Sequence, residues 1–146
     1  MDPILLGHGD GEPIGLGDSR ALLKAAAEDT GGRFALIEAV YAPGFPGPLP
    51  HRHREMLDCF YVVEGGLRFQ LGEETRDMGA GSFVAVPPGT VHTFSNPFDE
   101  PARVLNLFTP GGLEGYLREM SALGRPPEPA DMASFAARYD FEAADG

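Results

Sequence analysis

The sequence predicts an all-β domain, a sandwich or barrel of short strands followed by one or two C-terminal helices. Three observations point there. The chain carries 20 Gly and 14 Pro in 146 residues, a supply of turn residues that suits many short strands better than a helical bundle. Its apolar residues fall in short β-branched or aromatic runs with turn signals between them. Beyond residue 110 the apolar spacing changes from that of strands to that of a helix. At 42% hydrophobic and 23% charged, the composition is that of an ordinary globular protein, and the length fits one domain.

In chain order, residues 1–19 read as an irregular lead-in, rich in Gly and Asp from residue 7 onward. The segment RALLKAAA, 20–27, is open to both helix and strand: Ala favours helix, but the run is short and stops at Thr30-Gly31-Gly32. Phe34 to Tyr41 is apolar at nearly every position, as expected of a strand covered on both faces. Four prolines and two glycines make 42–50 a rigid loop that delivers the chain to His51. DCFYVVE, 58–64, and LRFQL, 67–71, joined by Gly65-Gly66, read as a β-hairpin. Further strands are expected at 82–86, 91–95 and 103–108, with Pro87-Pro88-Gly89 as a tight turn. The barrel thus occupies 20–110. In the extension 111–146, Leu113, Tyr116, Leu117, Met120 and Leu123 share one helical face that ends at Gly124. Asp131 is placed to cap a second helix carrying Met132, Phe135, Ala136 and Tyr139.

Composition also excludes partners. A net charge of −11 repels phosphate backbones and anionic headgroups, so neither nucleic acid nor a membrane surface is expected as a partner. The one dense basic cluster, Arg52 and Arg54, flanks two histidines. A single cysteine, Cys59, leaves no internal disulfide, and with no secretory leader it argues for the cytoplasm. No apolar run approaches a membrane span.

The chemistry-bearing residues are few. His51 and His53 form an H-x-H pair, and on an extended strand residues two apart point to one face, so both imidazoles can reach one ion. Asp58 opens the next strand, and His92 arrives on a later one after the Pro-Pro-Gly turn. Three imidazoles and a carboxylate suit one divalent transition metal (Fe, Ni, Mn, Zn or Co) without choosing among them. An H-x-H pair alone is more often a surface feature, so the weight falls on the wider pattern.

That pattern resembles a known family. Gly81, Pro87, Gly89, His92 and Asn96 match the second cupin motif, G(x)5PxG(x)2H(x)3N, at every defined position. The segment from His51 through His53 and position 58 to Gly65 matches the spacing of the first cupin motif, HxH(x)4E(x)6G, with Asp58 in the place of Glu. The stretch TGGRFALIEAVYAPGFPGPLPHRH and the tail FTPGGLEGYLREM look like small bacterial single-domain cupins described as quercetin-dioxygenase-like. The likeness covers roughly residues 30–123. It implies a jelly-roll barrel of six to eight strands, favours strand for 20–27, assigns metal-ligand roles to His51, His53 and His92, and assigns a fourth to position 58. It also implies a homodimer.

At position 58 the carboxylate falls roughly 1.5 Å short of where glutamate would put it. Three outcomes are open: the strand shifts inward and Asp58 ligates, Asp58 acts through a water, or the site is three-histidine and Asp58 is free as general base. Phe60 and Val62 share the face of Asp58, and Phe94 that of His92, which makes them expected substrate walls, with Tyr41 as a substrate-binding residue; core packing explains them equally well. The resemblance implies a metal-dependent enzyme for a small hydrophobic, aromatic or polyketide-like enol or phenol. A dioxygenase, with dioxygen as co-substrate, is narrowly favoured over a non-redox polyketide cyclase or isomerase. A non-catalytic binding module is the competing class.

Overall fold

The computed structural model describes residues 1–144. Among the described residues, eleven strands build two antiparallel sheets that face each other, with the core between them. The larger sheet holds β1 (Glu12–Leu16), β2 (Ser19–Ala25), β3 (Ala35–Tyr41), β10 (Ala102–Thr109), β5 (Leu57–Glu64) and β8 (Phe83–Val86), in that order. The smaller holds β11 (Glu142–Ala143), β4 (His51–Arg52), β9 (His92–Ser95), β6 (Gly66–Leu71) and β7 (Glu74–Gly79). A four-residue helix, α1 (Ala27–Thr30), follows β2, and two longer helices, α2 (Glu114–Leu123) and α3 (Pro129–Arg138), follow the barrel.

The alternation of the strands sets the core. In β10 the residues Ala102, Val104, Asn106 and Phe108 point inward, and β3 contributes Ala35, Ile37, Ala39 and Tyr41. The outward residues of β3 are half-exposed, so this strand is fully covered on one face only, not on both as its composition suggested. Phe60, Phe69 and Phe94 pack ring against ring, with centroids 5.1, 5.2 and 5.9 Å apart, and Tyr41 stands 5.2 Å from Phe94. Burying one such ring stabilises the fold by about 1.5–3 kcal/mol.

Three expectations need correction. The lead-in is not wholly irregular: Glu12–Leu16 pairs along its length with β2, whose alternating burial needs a partner strand. The runs 58–64 and 67–71 do not pair with each other. The chain turns at Gly65 from one sheet to the other, so β5 lies between β10 and β8, while β6 lies between β9 and β7. Gly65 has φ +73°, and a Cβ there would collide with the Pro101 carbonyl; a Gly-Gly pair therefore marks a corner as readily as a hairpin. Finally, the residue before α3 is Glu128, and Asp131 caps from inside the helix by accepting the Glu128 N–H at 2.8 Å.

The two expected helices close the structure. α2 lies along the edge strand β1, where Ser121 Oγ accepts the Gly15 N–H at 2.9 Å and so covers an otherwise open strand edge. Its start is anchored by buried Glu114, whose carboxylate accepts the N–H groups of Gly112 and Ala27. Tyr116, Leu117 and Met120 from α2 and Phe135 from α3 pack against the core, so the amphipathic faces are used within the chain.

Candidate metal centre

The loop 42–50 lies along β9 before it reaches the first histidine. Gly44 donates to the Asn96 carbonyl at 2.8 Å, Asn96 N–H donates to Phe45 O at 2.9 Å, and Thr93 Oγ1 donates to Pro48 O at 2.6 Å. Gly47, at φ +80°, passes so close to the Phe94 carbonyl that a Cβ would overlap it. The side chain of Asn96 fixes the end of β9, donating to Tyr41 O and Glu100 O and accepting the Phe98 N–H. This seating aligns β4 with β9 and sets His51 directly opposite His92.

One ring nitrogen from each of His51, His53 and His92 lies within 4.8 Å of the others. The ring centroids are 4.4–5.2 Å apart. The other nitrogen of each ring is already committed: Nδ1 of His51 contacts Leu49 O at 2.8 Å, that of His53 Asp140 O at 2.6 Å, and that of His92 Thr90 O at 2.9 Å. A carbonyl oxygen only accepts, so each Nδ1 carries the hydrogen and each Nε2 presents a lone pair. Three lone pairs converging in a buried space repel one another unless a cation or proton sits among them. His53 Nε2 is buried without a hydrogen-bond partner. This is the arrangement by which carbonyls orient imidazole ligands for a metal.

Asp58 stands beside two of the three rings. Its Oδ2 is 3.3 Å from His92 Nε2 and 3.5 Å from His53 Nε2. Its Oδ1 accepts from Asn106 Nδ2 at 2.7 Å, and the same amide also donates to Cys59 O at 2.9 Å. Donor atoms that share a tetrahedral ion at bond lengths near 2.1 Å stand about 3.4 Å apart, so Asp58 Oδ2 holds a donor's separation from both rings. The residues present therefore fit a divalent cation.

Electrostatics agree. Burial, and then the neighbouring His92 ring, press the His51 pKa down to about 4. Burial also acts against a charged His53, but the Asp58 carboxylate and the Asp140 carbonyl outweigh it and leave that pKa raised. Burial works against ionised Asp58, yet the neighbouring His53 and His92 rings and the hydrogen bond from Asn106 prevail and hold its carboxyl below the usual range. Tyr41 is raised, chiefly by its burial.

The sequence-derived wall residues Phe60, Val62 and Phe94 are buried on the inner faces expected of them, with Tyr41 beside them. Phe60, Phe94 and Tyr41 lie in the aromatic core, and none of the four residues lines the cavity that opens at the histidines. That cavity, about 40 Å³ in volume, is bounded by Leu49, His51, His53, Tyr116, Met132 and Phe141. Half of this wall comes from the C-terminal extension. The extension does more: Asp140 accepts the backbone N–H groups of Arg54, Glu55 and Met56 at 2.6–3.0 Å. Ala143 in β11 pairs opposite His51, and Glu142 takes up both Arg52 and Arg54. Sequence reasoning missed Asn106, Asp140 and Glu142. The inward phase of Asn106 among apolar neighbours in β10 was a readable signal; nothing local marked the other two.

Among known proteins, residues 37–108 match the family of the cupin domain. Quercetin 2,3-dioxygenase of Bacillus subtilis is 26% identical over 126 residues, 86% of this chain, and the chain spans only 36% of that enzyme's length. KdgF from a Halomonas species superposes with a TM-score of 0.66 at 18% identity, covering 79% of this chain and 99% of its own. A sugar phosphate isomerase of the cupin superfamily from Silicibacter pomeroyi superposes at 0.55 with 28% identity, over 62% of this chain and 59% of its own. No helix among the described residues is long and apolar enough to cross a membrane. Two-sheet fold, motif residues and relatives agree, and the chain belongs to the cupin family.

Proposed function

We propose that this cupin is a metal-dependent dioxygenase for a small hydrophobic enol or phenol. The observation that carries the reading is the set of three Nε2 lone pairs, each ring held by a backbone carbonyl, converging in one buried space. The distant likeness to quercetin 2,3-dioxygenase supports the choice of reaction. His51, His53 and His92 would hold the ion and Asp58 Oδ2 would supply the fourth donor. A divalent transition metal bound there would supply a Lewis acid that polarises an enol or phenol oxygen.

The protein's own groups have separable tasks. Asp58 is the carboxylate nearest the rings, and Asn106 holds its Oδ1 turned away so that Oδ2 faces His53 and His92. The carbonyls of Leu49, Asp140 and Thr90 fix the tautomers. Phe60, Val62, Phe94 and Tyr41 exclude water from the inner side of the centre. Two copies associate through the outward face of the larger sheet, where Tyr61 and Phe83 are exposed cross-strand neighbours. Buried, unpaired Cys59 suits a reducing cytoplasm.

The second reading is a non-redox cyclase or isomerase, favoured by the 28% identity to a sugar phosphate isomerase of the cupin superfamily. Turnover of a phenol or enol panel by metal-loaded protein, with and without oxygen, tests the choice. Oxygen consumption matched to product is expected; equal product under strict anaerobiosis contradicts the dioxygenase.

A further inference from the structure

We infer that residues 140–144 form a strap that gates the three histidines, with Phe141 as its plug, and that a molecule larger than water reaches the rings only when this strap lifts from β4. What passes the gate rests on the metal-centre reading; the gate itself rests on burial and packing alone.

The need for a gate follows from size. The cavity at the rings, about 40 Å³, has room for roughly one to three waters, whereas sites for organic ligands measure about 300 Å³ or more. His53 and His92 are each 2% exposed, and His53 Nε2 is fully enclosed. One of the surrounding walls has to yield. The inner wall is the aromatic core of Phe60, Phe69 and Phe94, packed ring against ring. The loop 42–50 is stitched to β9 through Gly44, Phe45 and Pro48, and Gly47 lies against the Phe94 carbonyl. The remaining wall is the strap, which is fastened at the surface.

Its fastenings are short, and they run to the segment that bears His51 and His53. β11 contributes a two-residue ladder to β4. Ala144 N–H donates to Pro50 O at 2.9 Å. Glu142 holds Arg52 and Arg54 through exposed ion pairs, which are weak in water. Phe141 is buried, with its ring 4.7 Å from that of Tyr116, and so stoppers the recess. The hinge lies at Tyr139, where α3 ends in an extended conformation at φ −123° and ψ 160°. Movement of the strap also acts on the histidines themselves. The Asp140 carbonyl that fixes the His53 tautomer belongs to the strap, as does the carboxylate that caps Arg54, Glu55 and Met56. Lifting the strap therefore frees the His53 ring, and closing it restores the ring's orientation behind whatever has entered.

A reversible lock tests the gate. Arg52 and Glu142 are direct cross-strand partners on β4 and β11 and are part-exposed. Arg52→Cys with Glu142→Cys therefore sets two thiols across one antiparallel pair, within reach of a disulfide. Oxidation fastens the strap and reduction releases it in the same protein. Glu142→Lys loosens it from the surface by facing Arg52 and Arg54 with a like charge. Diethylpyrocarbonate labelling of metal-free protein, resolved by residue with mass spectrometry, reports access to His53. Exposed His8 is the reference for reagent, and amide exchange in β6, separated from β11 by β4 and β9, is the reference for global unfolding. His53 is expected to label about ten-fold or more slowly in the oxidised than in the reduced double variant. In Glu142→Lys it is expected to label roughly three-fold faster than in wild type, with His8 labelling and β6 exchange unchanged. Equal His53 rates in the oxidised and reduced forms, equal rates in Glu142→Lys and wild type, or an acceleration matched by β6 exchange overturn the gate. Zinc uptake by wild type separates the two readings. No zinc bound, with His53 labelling that follows the lock, keeps the gate and removes the metal centre; stoichiometric zinc, with labelling indifferent to the lock, removes the gate alone.

Discussion

Asp58 stands one methylene short of the glutamate in the motif it resembles, and the molecule compensates with a tether. Asn106 Nδ2 donates to Oδ1 and to the Cys59 carbonyl, which leaves Oδ2 facing the rings of His53 and His92. The shape of the site thus depends on a charge, a length and an orienting amide. Asp58→Asn retains the shape and removes the charge. It is expected to leave the fold intact and to weaken metal binding about 10- to 100-fold, read by competition with a chromogenic chelator. Asn106→Ala leaves a buried carboxylate short of a donor and is expected to cost about 1–3 kcal/mol in urea unfolding. The histidines and position 58 were legible because spacing on strands fixes which side chains share a face. Asn106 was not singled out, since its partner lies 48 positions away in the chain and only the pairing of β10 with β5 brings them together.

At the scale of elements, the two-residue strand β4 is too short to position a metal ligand by its own ladder. It is held from both sides, by β9 and the loop 42–50 on one and by the C-terminal strand β11 on the other. Asp140 is the centre of that second support. Its carboxylate accepts three successive backbone N–H groups and its carbonyl holds His53. Asp140→Ala removes the carboxylate bonds alone and is expected to cost about 2 kcal/mol, and to lower metal affinity about ten-fold by loosening the turn after His53. Burial acts against ionised Asp140, but the three N–H groups outweigh it and hold its pKa below the ordinary 3.8. A depressed folded value means that this stabilisation is present above the unfolded pKa and is lost as pH falls through the folded one. Wild type is therefore expected to lose stability below about pH 4 by a margin that Asp140→Ala lacks, which urea midpoints at pH 7 and pH 3 measure. The exposed pairs of Glu142 with Arg52 and Arg54 add little to this. None of this support was readable from the sequence: the contacts span more than 80 positions, and no local pattern marks an acidic residue after a helix as a cap for a distant loop.

For the whole molecule, the jelly-roll was legible from strand-like runs, turn residues and two spaced motifs, while pairing partners were less so. Gly65-Gly66 signals a change of direction but does not say whether the chain doubles back or crosses to the facing sheet. The lead-in hid β1 because EPIGL has weak strand character and gains its place from the edge of β2. The division of labour also became visible only in three dimensions. The barrel interior is filled by Phe60, Phe69 and Phe94, so Phe60→Ala is expected to cost about 3–5 kcal/mol in denaturant unfolding, while the small cavity at the histidines is walled by the extension. The proposed chemistry depends on the three histidines acting together as one cation site. The most direct measurement is elemental analysis of purified protein after equilibration with a divalent transition metal and gel filtration, for wild type and for folded His92→Ala. One equivalent of metal per chain in wild type, falling below about a tenth of that in the variant, is the predicted result. Folded wild type that retains no metal, or a variant that retains the full equivalent, would contradict it.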